Sequence, residues 1–206
     1  MGIASLSLEL QLILVPTILF ALTFHEYAHA RVAYLLGDYT SYYQNRMNLN
    51  PFNHLDPFGT FALYFLGFGW AKPVPVAMQN LKNPRSDMMM IAMAGPASNM
   101  FLACLASIIY RLNFYFQLSE EVIFPLEIFI QINIVLAIFN LLPLNPLDGS
   151  RIIPLIVKNP KTLYNIEVYG PRILIGLIIL NLIGIPILST IILTPVSIIF
   201  YLLTGT

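Results

Sequence analysis

Apolar runs long enough to cross a bilayer recur along this chain, and they leave few folds open to it. Leu6 to Phe24 is apolar apart from Glu9 and a few small polar residues, and the run continues to Leu36 before Gly37 and Asp38 stop it. Met88 to Tyr110 and Val122 to Leu142 are two more such stretches. About 20 apolar residues span the hydrocarbon core, so each suffices for one crossing. Hydrophobic residues make up 58% of the 206 residues and charged ones only 10%. A soluble domain carries about 25% charged residues, which places this chain outside that class. The formal net charge is zero, so a nucleic-acid partner is not expected. Cys104 is the only cysteine, which excludes an intrachain disulfide and a thiolate metal cluster. The first run lacks a basic leader and a small-residue cleavage site, and it reads as a retained helix rather than a signal peptide.

The expected architecture is an all-α polytopic membrane protein with about five transmembrane helices, forming a single domain over 1–206. Core helices are predicted at about 6–36, 88–110 and 122–142. A helical hairpin is predicted at about 173–203, broken at Gly184-Ile185-Pro186. Between the first two core helices, 41–76 reads as a re-entrant, β-like region. Short strands are expected around Ser41-Tyr42-Tyr43 and Arg46-Met47-Asn48-Leu49. Phe58 to Trp70 is too short for a span, and the prolines of Lys72-Pro73-Val74-Pro75-Val76 favour an extended edge.

Charge sets the expected topology. With the N-terminus outside and Phe58 to Trp70 returning to its own side, nine of the ten basic residues fall on the cytoplasmic face and only Arg111 falls outside. The chain is therefore expected in the cell membrane, multi-pass, with its active site toward the cytoplasm.

The chemistry concentrates in His25-Glu26-Tyr27-Ala28-His29. Residues four apart share a helical face, so both imidazoles can point at one ion, and Glu26 is placed to take a proton from an attacking water. Ionisable groups inside a membrane segment are costly and default to a functional reading. Catalytic zinc usually has three protein ligands, and Asp148 is the candidate for the third. Spacing alone leaves it open between that role and a plain Asp-Gly turn. A metal-ion transporter or channel built on the same His/Asp cluster is the alternative function. There Glu26 could serve as a ligand, whereas a hydrolase needs it as a base.

His25 to His29 on a membrane helix, with Asn140-Leu141-Leu142-Pro143 leading to Leu147-Asp148-Gly149 on a later one, resembles the site-two protease family of intramembrane zinc metalloproteases. Gly95-Pro96-Ala97-Ser98-Asn99 matches a further motif of that family. Asn50-Pro51, His54-Leu55-Asp56-Pro57, Gly59-Thr60 and Phe68 to Val76 are similar to its small bacterial and archaeal members, those without PDZ or CBS domains. The resemblance implies one zinc per chain held by His25, His29 and Asp148, with Glu26 as base. It also implies transmembrane protein substrates in the lipid bilayer. Asn140 gains a possible part in holding the substrate strand or the oxyanion. Asn99 is read as structural first and substrate-facing second, and His54 as a loop residue before any substrate role.

Overall fold

The computed structural model describes residues 2–206. Five of its helices are long and apolar enough to cross a membrane: α1 (Leu8–Leu35), α4 (Pro84–Phe116), α5 (Glu120–Asn140), α7 (Pro160–Leu182) and α8 (Ile187–Thr204). Three shorter ones, α2 (Thr40–Tyr43), α3 (Pro57–Leu66) and α6 (Ile153–Ile156), lie in the connections.

Local chemistry sets the helix ends. Ser7 caps α1 by accepting from the Leu10 N–H. Pro84 occupies the first turn of α4, and the Asp87 carboxylate accepts from the Asn83 N–H at 2.9 Å. These two features start α4 four residues earlier than the apolar run alone suggests. Glu120 and Glu121 begin α5, where negative charge suits the helix dipole. Asn159 caps α7 from outside the apolar run, so that helix starts well before 173.

α4 is the centre of the bundle, packing on α1 along one side and on α5 along another. Ala103 and Ala106 of α4, Ile130 and Ile134 of α5, and Leu188, Ile192 and Val196 of α8 form the main apolar core. Arg111 donates to the carbonyls of Leu203 and Leu202 at 2.6 and 2.7 Å. The last turn of α8 therefore meets the outer part of α4, and α8 runs parallel to α4. Many large apolar side chains point outward, among them Leu12, Phe101, Ile108, Ile179 and Ile198. A water-facing surface does not tolerate so much apolar area, whereas a lipid-facing one requires it.

The region between α1 and α4 departs from the sequence expectation. Among the described residues there is no strand, only one antiparallel bridge between Leu55 and Ala71. Residues 40–43 form a helical turn because the buried Asp38 carboxylate accepts from the N–H and hydroxyl of Thr40. Residues 57–66 are helical because Asp56 caps the Gly59 N–H, Pro57 starts the first turn, and Gly67, with φ of 78°, closes the last. Only 70–77 is extended. Pro73 and Pro75 lack the N–H groups that a ladder would need, so side chains take up most of this segment's polar groups instead. The β-like reading of the region is thereby corrected to helix plus one side-chain-anchored extended segment.

Candidate metal centre and active site

His25 and His29 project from one face of α1, and both are buried. Asp148 opens a 3-10 turn, Asp148–Ile152, after the prolines at 143 and 146 end α5 and its continuation. Gly149 lets this turn fold back, because a Cβ there would overlap the Leu141 carbonyl at the end of α5. The result brings three ligand atoms together from distant parts of the chain. The two Nε2 atoms are 2.9 Å apart, and Asp148 Oδ2 lies 3.1 Å from His25 Nε2 and 3.3 Å from His29 Nε2.

The hydrogen bonds behind the imidazoles fix their tautomers. Asn133 Nδ2 donates to the Phe129 carbonyl, which leaves Asn133 Oδ1 to accept from Asn99 Nδ2. Asn99 Nδ2 also donates to the Ala21 carbonyl, so Asn99 Oδ1 is the acceptor facing His25 Nδ1 at 2.6 Å. His25 therefore carries its proton on Nδ1. His29 likewise donates from Nδ1 to the Ile91 carbonyl at 2.7 Å. With both rings neutral, two bare Nε2 lone pairs and a carboxylate then converge. Neutral histidines arranged in this way repel one another unless a cation lies among them. The triangle they form approaches the edges of about 3.3 Å that a tetrahedral ion with metal–ligand distances near 2.0–2.1 Å defines. Gly95 supplies the space above it, since a Cβ at that position would overlap both Nε2 atoms. The residues fit a zinc ion.

Glu26 is not part of the trio. Its Oε2 accepts from the Val74 N–H at 2.9 Å, which aims the carboxylate along the extended segment beside the site. The other predicted residues divide. Asn99 is wholly buried with each polar atom engaged, and it orients His25. His54 is 1% exposed and its Nε2 bonds the Asn48 carbonyl, within its own loop. Asp56 caps α3 instead of meeting that imidazole. Asn140 bonds the Leu136 carbonyl of its own helix and stays half-buried.

Three participants were not singled out from the sequence. Asn133, an amide within an apolar helix, anchors the chain of amides behind His25. Arg46 and Asp38 hold the extended segment, Arg46 through the carbonyls of Lys72 and Pro73 and Asp38 through the Ala77 N–H and the Asn80 amide. Their signal was a charged residue in a mostly apolar chain, which composition alone does not connect to a partner. Burial would push the Asp38 carboxyl up, but the hydrogen bonds from Thr40, Asn80 and Ala77 outweigh it and hold the group below the usual carboxylate range.

A bundle of apolar helices around a two-histidine, one-carboxylate centre with a free glutamate defines a membrane metallohydrolase. Comparison with known proteins agrees and narrows this. The sequence profile of peptidase family M50 matches residues 112–183, which include α5 and Asp148. YwhC of Bacillus subtilis (strain 168), named as a zinc metalloprotease, is 45% identical over 152 residues, covering 71% of this chain and 69% of that protein. No solved structure matches the chain. The chain belongs to peptidase family M50. It is a zinc metalloprotease with several apolar helices suited to a multi-pass membrane setting.

Proposed function

We propose that the protein is an intramembrane endopeptidase, one domain in the cell membrane, that hydrolyses peptide bonds within or next to the transmembrane segments of other proteins. The observation that carries this reading is the convergence of His25, His29 and Asp148 inside an apolar bundle, with Glu26 beside them and outside the trio. Those three side chains would hold a zinc ion, which would supply Lewis acidity for a substrate carbonyl and an attacking water. Glu26 takes the proton from the attacking water and delivers it to the leaving nitrogen. Asn99 and the Ile91 carbonyl keep both imidazoles in the tautomer that faces the centre. A transporter could use Glu26 as a ligand, and its carboxylate is turned to Val74 instead, which favours the hydrolase reading.

A helical substrate hides its peptide bonds, so it must unwind first. The Val74 carbonyl and both polar groups of the Val76 backbone carry no hydrogen bond among the described residues. They share an edge with the Val74 N–H that touches Glu26, and an extended substrate can pair there. Asn140 Oδ1 has no hydrogen bond among the described residues and is available to accept one from a substrate. The bias of basic residues toward one set of loops supports a site facing the cytoplasm.

Purified wild type and Glu26→Gln are compared for zinc content and for cleavage of casein and of a reporter transmembrane segment. One zinc per chain in both, with cleavage in the wild type alone, is the expected result. Zinc in both with equal cleavage would remove Glu26 from the mechanism. Absence of zinc from the wild type would overturn the assignment of the centre.

A further inference from the structure

The buried cation nearest this chemistry has no carboxylate partner. Arg46 is 8% exposed, and among the described residues the only ion pairs within 4.0 Å are those of Asp148 with the two histidines. One guanidinium nitrogen, Nη2, donates to the Lys72 carbonyl at 2.7 Å and the Pro73 carbonyl at 3.3 Å, while Nε has no partner. A guanidinium taken out of water without a counter-charge is expensive, and two neutral carbonyls compensate it only in part.

The Pro73 carbonyl and the Val74 N–H belong to the same peptide group. Its oxygen faces Arg46 and its hydrogen faces Glu26, at 3.3 and 2.9 Å. We propose that Arg46 is a positioning residue for Glu26, acting through the Pro73–Val74 peptide. The cation polarises the peptide toward its oxygen, which strengthens the N–H as a donor to the carboxylate. Arg46 and Glu26 thus form an ion pair with a peptide inserted between them. The flanking prolines suit this use, because Val74 supplies the only N–H from 73 to 75 and the chain cannot shift register to offer another.

Around this peptide, the Ser41 hydroxyl donates to the Pro75 carbonyl and the Lys72 N–H to the His54 carbonyl, while Asp38 accepts from the Ala77 N–H. These contacts fix the ends of the segment. Only Arg46 bonds the peptide that touches Glu26.

The inference rests on Glu26 being the base, and two readouts separate the claims. The sequence contains three Pro–Val steps, at 73–74, 75–76 and 195–196. Protein carrying carbonyl-labelled proline and nitrogen-labelled valine therefore shows three selectable amide signals, and Val74→Leu identifies one of them. In Arg46→Gln the Val74 signal should move upfield, as it should in Glu26→Gln, while the Val196 signal stays in place and reports an intact bundle. Zinc content should be unchanged. In the cleavage assay Arg46→Gln should lose roughly tenfold to a hundredfold in kcat at nearly constant KM, the scale of a misplaced catalytic group. Arg46→Lys, whose single ammonium can reach both carbonyls, should restore most of both signals. An unmoved Val74 amide with wild-type kcat in Arg46→Gln overturns the proposal even if Glu26→Gln is inactive. A moved Val74 amide in a variant series where Glu26→Gln still cleaves would instead overturn the reading of Glu26 as base. If Arg46→Gln shifts Val196 as well and Arg46→Lys fails to restore kcat, Arg46 is structural and the proposal fails.

Discussion

Asn99 Oδ1 lies 2.6 Å from His25 Nδ1, in a position where every other polar atom of that amide is already committed to α1 and α5. The amide cannot turn over without losing two donors, so it fixes the imidazole as a bare Nε2 toward the centre. Removing such a partner typically weakens metal binding about 10- to 100-fold. Asn99→Ala is expected to lose zinc to a chelator at concentrations that leave the wild type loaded, while still binding one zinc per chain in excess metal. Competition titration against a zinc indicator checks this, and equal retention would remove Asn99 from the support of the site.

Gly95 makes a sharper prediction, because the available space is set by the ligands themselves. A Cβ there overlaps His25 Nε2 and His29 Nε2, so Gly95→Ala must push α1 from α4 or turn an imidazole away. Zinc binding should fall below one per chain and cleavage should vanish. Gly176→Ala, with nothing within 4 Å of the new methyl, should leave both intact. Metal analysis of the two purified variants decides it. A fully loaded Gly95→Ala would mean that the helices separate without disturbing the ligands.

Much of this centre is legible in the sequence. His25, Glu26 and His29 announce themselves through one helical turn, since spacing alone puts both imidazoles on one face. The third member of the trio, Asp148, lies 119 residues further on than His29, and local pattern leaves its role open. Its carboxylate meets the imidazoles only when the Gly149 turn closes on the end of α5. The five long helices were readable from apolar length, with ends moved by caps such as Asp87 and Asn159. The connection between α1 and α4 reads as β-like because Ser41-Tyr42-Tyr43 and Arg46-Met47-Asn48-Leu49 suit short strands and the prolines at 73 and 75 suit an extended edge. Its true form depends on side-chain anchors, Asp38 and Asp56 among them, that no periodicity reveals.

Asp38 carries a pH signature outside the membrane segments. Its folded carboxyl titrates below the ordinary value, so ionised Asp38 stabilises the fold at neutral pH. That contribution is fully present above the unfolded pKa of about 4 and is lost as pH falls through the lower folded value. Asp38→Asn should therefore unfold at lower temperature than wild type at pH 7, with the gap narrowing steadily below about pH 4. Thermal unfolding in detergent across that range is the measurement, and a gap independent of pH would show that shape and not charge matters at this position.

The direction of α8 yields a topological prediction that charge counting did not anticipate. Arg111 bonds the last carbonyls of α8, and Tyr110 reaches both Glu127 and Thr206, so the ends of α4 and α8 and the first half of α5 share one end of the bundle. Leu155 meets Asn83 to Ser86 at the first turn of α4, which puts the start of α7 at the opposite end. The tight turn at 183–186 leads into α8, whose first residues pack beside Met100 and Ala103, on the α7-start side of the Arg111 contact. These contacts predict that α7, one of the five helices long enough to cross, begins and ends on one side; it buries only Gly170 and Leu174. In a Cys104→Ala background, cysteines at Ser119 and Thr206 should react with an impermeant thiol reagent from one face of sealed vesicles, and cysteines at Ser86 and Lys158 only from the other. Thr206 reacting with the Lys158 group would show that α7 and α8 cross as a pair and that the contact of Arg111 with α8 is not the native one.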